Sequence, residues 1–505
     1  MHSPAPSSST NQSAWKRWLT TRPYFLFLLP VFFVIHGLAT YRGSVSVTDG
    51  ARLLLRYEAY ALLVFLPAWR LLKNPVKAGL LSFTAMGLFF FFGNIQDLLH
   101  RANPGGFFSQ YRFLLPLLLL VCVLAFRIVR KREQLSRTVT FLNLLLFLFL
   151  GIEAVRIGMD STGSHSNRLL HEEPESYRPC DDCSKPDIYF ILPDQYAGNQ
   201  ALSESMGFDN GAFARQLEKR GFVILPDSRS NYNLTPFSVA STLNMDYLSN
   251  EWKKGGELNI GYCYQLIRKS RVVRFLETQG YAFHNLSIFD FPGQPAHRYE
   301  SFLPYGSALI NRPTLAGRLE RDWQTALLEG KFDFRGARRR AIYANLEYND
   351  KIIRMIQQLA SAPASQPRFV YAHLMLPHFP YYFDRNGQPR EIAKLISLRN
   401  TNTADYLGYL EYANTRLIGL IDDILRNAKR PSVILLLSDH GFRQPEKNQA
   451  SPYEFSNLNA AIIPGGDSSL LREVHSNVNV FRVLFNHQFR QQFPLLPDST
   501  INVRD

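Results

Sequence analysis

Asp194 closes the run "PDIYFILPD", Asp439 and His440 close "PSVILLLSDHG", and His373 and His378 stand in "PRFVYAHLMLPHFPYYF". A carboxylate from one such run and an Asp-His pair from another are oxygen and nitrogen donors of the kind that zinc or manganese accepts. Taken alone, "SDHG" reads better as a helix cap beside a satisfied polar residue. Thr235, in "NYNLTPFSVASTLN", stands directly before Pro236 and three places before Ser238. Thr as cap with Pro in the first turn is the preferred way to begin a helix. The same geometry leaves a hydroxyl and free backbone N–H groups facing outward, where a helix N-terminus attracts an anion. Beside a divalent metal that hydroxyl loses its proton more readily and becomes a nucleophile for a phosphorus centre.

The surrounding elements decide whether these groups can meet. "PDIYFILPD" suits a buried strand; "FDNGAFARQLEKRGFVIL" gives helical spacing, a Gly stop and a second strand; "SRVVRFLETQGYAFHNL" repeats the pattern. "PRFVYAHL" is a further strand, "DYLGYLEYANTRLIGLIDDILRNA" an amphipathic helix and "PSVILLL" a strand ending in polar residues. This alternation predicts an α/β domain with a mainly parallel central sheet. Functional groups in such sheets lie beyond the carboxyl ends of the strands, the position of Asp194, Asp439, His440, His373 and His378. Residues 291–340 show no clear pattern.

The apolar residues are concentrated before about residue 155. Five runs, roughly 22–41, 51–69, 76–98, 113–129 and 138–155, approach the length that a bilayer core requires, which predicts an N-terminal transmembrane bundle of about five helices. The second run carries Arg52, Arg56 and Glu58 near one end, which suits snorkelling or a helix lying along the membrane. Lys16, Arg17 and Arg22, then Arg70, Lys73 and Lys77, then Arg127, Arg130, Lys131, Arg132 and Arg137 fall in alternate loops. That bias predicts a cytoplasmic N-terminus and, after an odd number of spans, a C-terminal domain outside the cytoplasm. No cleavable signal peptide is expected, since the N-terminal segment lacks an apolar core before Trp18. The expected organisation is a transmembrane anchor at 1–156, a polar stalk at 157–185 and an extracytoplasmic domain at 186–505. Much of the net charge of +14 then belongs to cytoplasmic loops, so it does not argue for nucleic acid. Arg335, Arg338, Arg339 and Arg340 form either a solvated helix start or a patch for anionic headgroups. "CDDC" at Cys180 and Cys183 is expected to be a local disulfide in an oxidising compartment, whereas Cys122 and Cys263 stand apart.

The five motifs in this order resemble the sulfatase and alkaline phosphatase superfamily. In particular they resemble its membrane-anchored branch of phosphoethanolamine transferases and lipoteichoic acid synthases, over roughly residues 186–490. The resemblance implies an alkaline-phosphatase-like fold and one divalent metal, Zn or Mn, held by Asp194, Thr235, Asp439 and His440. It also implies Thr235 as nucleophile and His378 as the histidine that contacts the phosphoryl or leaving group. His373, Arg443 and Ser238 are weaker candidates for substrate contact, and His373 reads equally as a structural histidine. The implied partners are a membrane phospholipid donor and an envelope glycan or lipid acceptor, with hydrolysis by the same fold and a non-catalytic scaffold as the competing readings. Three departures matter. A "CxPSR" type motif is absent from "TPFS", which disfavours sulfate ester hydrolysis. Asp405 is followed at the fourth place by Tyr409 rather than His, which favours a single metal. The histidine that phosphoethanolamine transferases carry after the Asp-His pair is missing from "FRQPEKNQASPYEFSN", where Arg443 offers positive charge instead.

Overall fold

The computed structural model describes residues 20–41, 45–103, 106–161, 177–254, 257–297, 306–328, 335–395, 402–443, 451–465 and 474–503. The stalk expectation therefore lies largely outside the described residues. The chain divides into two compact units, Met1–His165 with Leu303–Gln324, and Ser166–Phe302 with Thr325–Asp505.

The first unit is helical, with helices at Phe25–Thr40, Val47–Leu72, Pro75–Phe90, Phe92–Ala102, Tyr111–Lys131 and Ser136–Ser161. Tyr111–Lys131 and Ser136–Gly158 are each long and apolar enough to cross a bilayer, and Pro75–Phe90 with Phe92–Ala102, bent by 51°, adds a third crossing if the pair is one span. The chain is thus a membrane protein. Among the described residues, helix length and composition alone mark two to three spans beside the approximate expectation of five. Phe25–Thr40 is apolar but short, and Val47–Leu72 carries Asp49, Arg52, Arg56, Glu58 and Arg70. Aromatic rings fill the centre of this unit: Phe33 stacks on Phe90 at 4.4 Å and Tyr57 meets Phe90 edge-on at 5.0 Å. Buried Asn143 accepts from the Phe25 N–H (2.8 Å) and donates to the Arg22 carbonyl (2.9 Å), so an apolar helix satisfies the otherwise orphaned start of its neighbour.

Leu303–Gln324 belongs to this helical unit, although the sequence reading put it in the soluble domain. It is pinned by polar contacts. Asn311 Oδ1 accepts from Tyr57 OH at 2.9 Å, Asp322 Oδ2 accepts from Tyr111 OH at 2.6 Å, Pro313 O accepts from Gly93 N at 2.7 Å, and Arg318 pairs with Asp97 at 2.5 Å. A Cβ at Gly93 would stand 2.5 Å from the Arg318 side chain and 2.8 Å from the Pro313 oxygen, so the close approach needs glycine here.

The second unit is built on a six-stranded sheet in the order β2-β8-β7-β1-β6-β5. The strands are β1 Asp187–Pro193, β2 Val223–Ile224, β5 Ala282–Leu286, β6 Arg368–Leu374, β7 Ser432–Leu437 and β8 Asn459–Ile462, and β3 Lys253–Lys254 pairs separately with β4 Glu257–Leu258. β1, β6, β7 and β5 pair in parallel, whereas β8 runs antiparallel to both β7 and β2, so the sheet is mixed at one edge. β1, β6 and β7 are buried along their whole length, which explains their near-continuous apolar composition. Their register matters most: Leu192 lies opposite His373 and Ile191 opposite Leu436. The three central strands therefore end side by side, with the β1 terminus between the other two.

Candidate active site and metal centre

β1 delivers Asp194 at this edge, its N–H donating to Leu374 O at 2.8 Å. The chain then turns through Gln195, whose φ of +62° is the left-handed region that a non-glycine residue adopts only when its surroundings hold it there. Those surroundings are visible. Gln195 N donates to Asp439 Oδ1 (3.0 Å), Tyr196 N donates to Ser438 Oγ (2.9 Å), and the Tyr406 hydroxyl donates to Gln195 O (3.0 Å) while accepting from Ala197 N (2.9 Å). The loops after β1 and β7 are thereby sewn together.

Beyond β7, Ser438 O accepts from Asn457 Nδ2 (2.6 Å) and Asn477 Nδ2 (3.0 Å), and Ser238 Oγ donates to Asp439 O (2.5 Å). Ser238 is buried and donates its hydroxyl to the backbone of Asp439, which helps to hold this loop in place. "SDHG" begins no helix, and the cap reading of Asp439 falls. His440 Nδ1 donates to Gly441 O at 2.8 Å, which fixes the tautomer and leaves the Nε2 lone pair facing inward. Nε2 lies 3.3 Å from Thr235 Oγ1 and 3.3 Å from Asp439 Oδ2.

The helix Thr235–Asn244 begins at Thr235 itself, with Leu234 as the capping residue and no side-chain cap. The hydroxyl is therefore not spent on the helix start, contrary to the capping alternative. Every residue of this helix is buried, which seats its first turn beneath the strand ends.

Asp194, Asp439 and His440 present ligand atoms within 4.8 Å of one another, and all three are buried. Asp194 Oδ1 and Asp439 Oδ2 are buried without a hydrogen-bond partner. Two orphaned carboxylate oxygens facing an imidazole lone pair place acceptor against acceptor, an arrangement that a cation relieves. Three protein donors with a hydroxyl beside them also match an open metal site. The residues fit one divalent ion.

His373 is fully enclosed, and its Nε2 lies 3.0 Å from Asp194 Oδ2. It orients a carboxylate, the structural role open to this histidine beside substrate contact. Tyr371 OH stands 3.4 Å from its Nδ1 and Tyr348 OH donates to its carbonyl at 2.8 Å. His378 is half-buried on the segment leaving β6, its Nδ1 donating to Phe379 O at 2.7 Å. Burial opposes ionisation of Asp194, but the charge of His378, the hydrogen bond and charge of His373 and the charge of His440 outweigh it and hold the carboxyl below the usual carboxylate range. Arg443 is half-buried on the segment leaving His440. Asp405 is paired with Arg390, which also donates to its carbonyl at 3.3 Å, so it stands as a structural anion. Cys180 and Cys183 are disulfide-bonded, with Cα atoms 5.4 Å apart. The sequence reading missed Gln195, Tyr406, Asn457 and Asn477. Gln195 acts through its own N–H and the other three through a backbone group of a distant loop, and nothing in "FSNLN" or "HSNVN" marks that partner.

Residues 213–464 match the family model named Sulfatase, a range that holds Thr235, His373, His378, Asp439 and His440 but begins after Asp194. No curated protein matches the chain. Solved structures similar to it include the zinc complex of the C-terminal periplasmic domain of EcEptC from Escherichia coli, at 11% identity and TM-score 0.39, covering 62% of this chain and 86% of that one. The integral membrane lipooligosaccharide phosphoethanolamine transferase A from Neisseria meningitidis is similar at 12% identity and TM-score 0.36, covering 95% of each chain. The phosphonate monoester hydrolase SpPMH from Silicibacter pomeroyi is similar at 16% identity and TM-score 0.40, covering 63% of this chain and 75% of that one. The chain therefore carries a domain of the sulfatase family at residues 213–464.

Proposed function

We propose that this protein is a membrane-anchored phospho-headgroup transferase, with Thr235 as nucleophile, that moves a phosphoethanolamine- or phosphoglycerol-type group from a membrane phospholipid to an envelope acceptor. The reading is carried by one observation: the hydroxyl of Thr235, at the first position of a helix that it does not cap, lies 3.3 Å from His440 Nε2, beside the Asp194, Asp439 and His440 cluster. Zinc or manganese bound by these residues would supply Lewis-acid chemistry and lower the pKa of the Thr235 hydroxyl. Thr235 Oγ1, its proton passed to water, attacks the phosphorus of the donor, the bond to the diacylglycerol oxygen breaks, and the headgroup is left as a phosphothreonine ester while diacylglycerol leaves. His378, with Nδ1 anchored on Phe379 O, presents Nε2 to donate a proton to the departing oxygen. The positive end of the Thr235–Asn244 helix favours the phosphoryl anion in its first turn. A threonine in "TPFS", outside any "CxPSR" motif, favours phosphoryl over sulfate ester chemistry. The loop charges and the Cys180–Cys183 disulfide support a cytoplasmic N-terminus and a catalytic domain outside the cytoplasm.

Intact-mass analysis of the full-length protein purified from its own membrane tests this reading. A headgroup adduct that maps to Thr235 and is absent from Thr235→Ala is the expected result. An unmodified wild-type protein that also releases no headgroup from phospholipid would end it, and release with water as sole acceptor would make the protein a hydrolase.

A further inference from the structure

A cavity of about 640 Å³, most of whose lining residues are polar, opens on the chain that leaves β1, bordered by Asn199, Gln200, Glu204, Phe208, Asp209 and Asp227 among others. Its size is that of a small-molecule site, and it lies past the carboxyl end of a central strand, where ligands of open α/β sheets bind. One wall is a five-residue π-helical turn, Ala201–Ser205, a rare conformation concentrated at functional sites.

The lining has a definite chemistry. Glu204, Asp209 and Asp227 are carboxylates, and among the described residues no Lys, Arg or His lines the cavity, so an anionic ligand is repelled. Asn199 and Gln200 each carry a donor and an acceptor, the pairing that adjacent sugar hydroxyls require. Phe208 is half-buried and supplies a ring against which the C–H face of a pyranose packs. Several groups are already oriented: Glu204 accepts from Tyr453 OH at 3.0 Å and from Gln200 Nε2 at 3.3 Å, and Asp209 Oδ1 accepts from Gly211 N at 2.8 Å.

Both walls are also tied to the metal cluster. On one side Asn210 Nδ2 donates to Tyr196 OH (2.9 Å), and Tyr196 N donates to Ser438 Oγ (2.9 Å). On the other, Ser228, which follows Asp227, donates to Asn457 Oδ1 (3.0 Å), and Asn457 Nδ2 holds Ser438 O (2.6 Å). Ser438 directly precedes Asp439.

We propose that this cavity is a binding site for a neutral glycan, the acceptor arm of the reaction. The role as acceptor rests on the transferase reading above. In that role a sugar hydroxyl oxygen bonds to the phosphorus of the phosphothreonine ester, the P–Oγ1 bond breaks, and the hydroxyl proton ends on Thr235 Oγ1. Atoms and charge balance without a further reactant.

The test is binding of a neutral β-linked gluco-tetrasaccharide to full-length protein in detergent, by saturation-transfer NMR and titration calorimetry, with a sulfated tetrasaccharide for comparison. Wild type and Thr235→Ala should bind the neutral sugar equally. The sulfated sugar, Phe208→Ala and Gln200→Ala should each weaken binding about tenfold or more, whereas Phe208→Tyr, which keeps the ring, should bind as wild type does. Absence of binding at millimolar sugar, equal affinity for the sulfated sugar, or wild-type affinity in folded Phe208→Ala overturns the proposal. Sugar binding with neither a Thr235 adduct nor headgroup release would remove the transferase reading and leave the glycan site standing. An adduct without sugar binding would do the reverse.

Discussion

His373 Nε2 lies 3.0 Å from Asp194 Oδ2, and neither side chain has any exposure to solvent. The pair sits across the β1–β6 ladder, where His373 is opposite Leu192 and Asp194 is two residues further on. The imidazole holds one oxygen of a carboxylate that clusters with Asp439 and His440 and whose other oxygen, Oδ1, is unpartnered. His373→Ala should therefore lower metal affinity about 10–100-fold, the usual effect of removing the partner that orients a ligand. Metal titration of the folded variant is the measurement, and unchanged affinity would show that Asp194 is held well enough without it.

Loss of a direct donor should be more severe. Asp439→Ala and His440→Ala each remove an atom from the cluster, and metal content after dialysis should fall to near zero in both. Metal analysis of the purified variants, beside their thermal midpoints, separates lost ligation from lost folding.

Thr235 has no capping role to lose, so Thr235→Ala should alter stability by less than the roughly 1 kcal/mol that removing a cap costs. Turnover of a fluorescent phospholipid should vanish in the alanine variant and persist in part in Thr235→Ser, which keeps the hydroxyl. Normal turnover by folded Thr235→Ala would return the residue to being the start of a helix.

Arg318 is largely buried in the helical unit and pairs with Asp97. Arg318→Ala should destabilise that unit by about 1–3 kcal/mol, the range for a charge-assisted hydrogen bond lost from a buried setting. Proteolysis of the detergent-solubilised protein should then cut faster within Leu303–Gln324. An unchanged cleavage rate would mean that the remaining contacts of this segment suffice.

Thiol labelling of the unreduced, denatured protein should modify Cys122 and Cys263 and spare Cys180 and Cys183. Denaturation is needed because Cys263 is fully buried, where burial also pushes its thiol pKa up. Labelling of all four cysteines would place the disulfide, and the oxidising compartment that it supports, in doubt.

Much of this arrangement is fixed by local order in the chain. The continuous apolar runs of β1, β6 and β7 are readable because strands buried on both faces tolerate little else, and the polar residues that end them, Asp194, Asp439 and His440, are marked by that change of composition. The apolar N-terminal helices are readable for a similar reason: a bilayer demands long stretches of one kind of side chain. Tertiary structure alone settled the rest. Whether Thr235 caps its helix or faces a metal cluster depends on a contact with His440, over 200 residues away. Whether His373 meets substrate or a carboxylate depends on the register of β6 against β1. The antiparallel β8, the clamps from Asn457 and Asn477, and the return of Leu303–Gln324 to the helical unit were equally hidden. Each is decided by a polar group satisfied from a distant part of the chain. Periodicity and composition record what a segment buries, but not which remote partner its polar atoms will find.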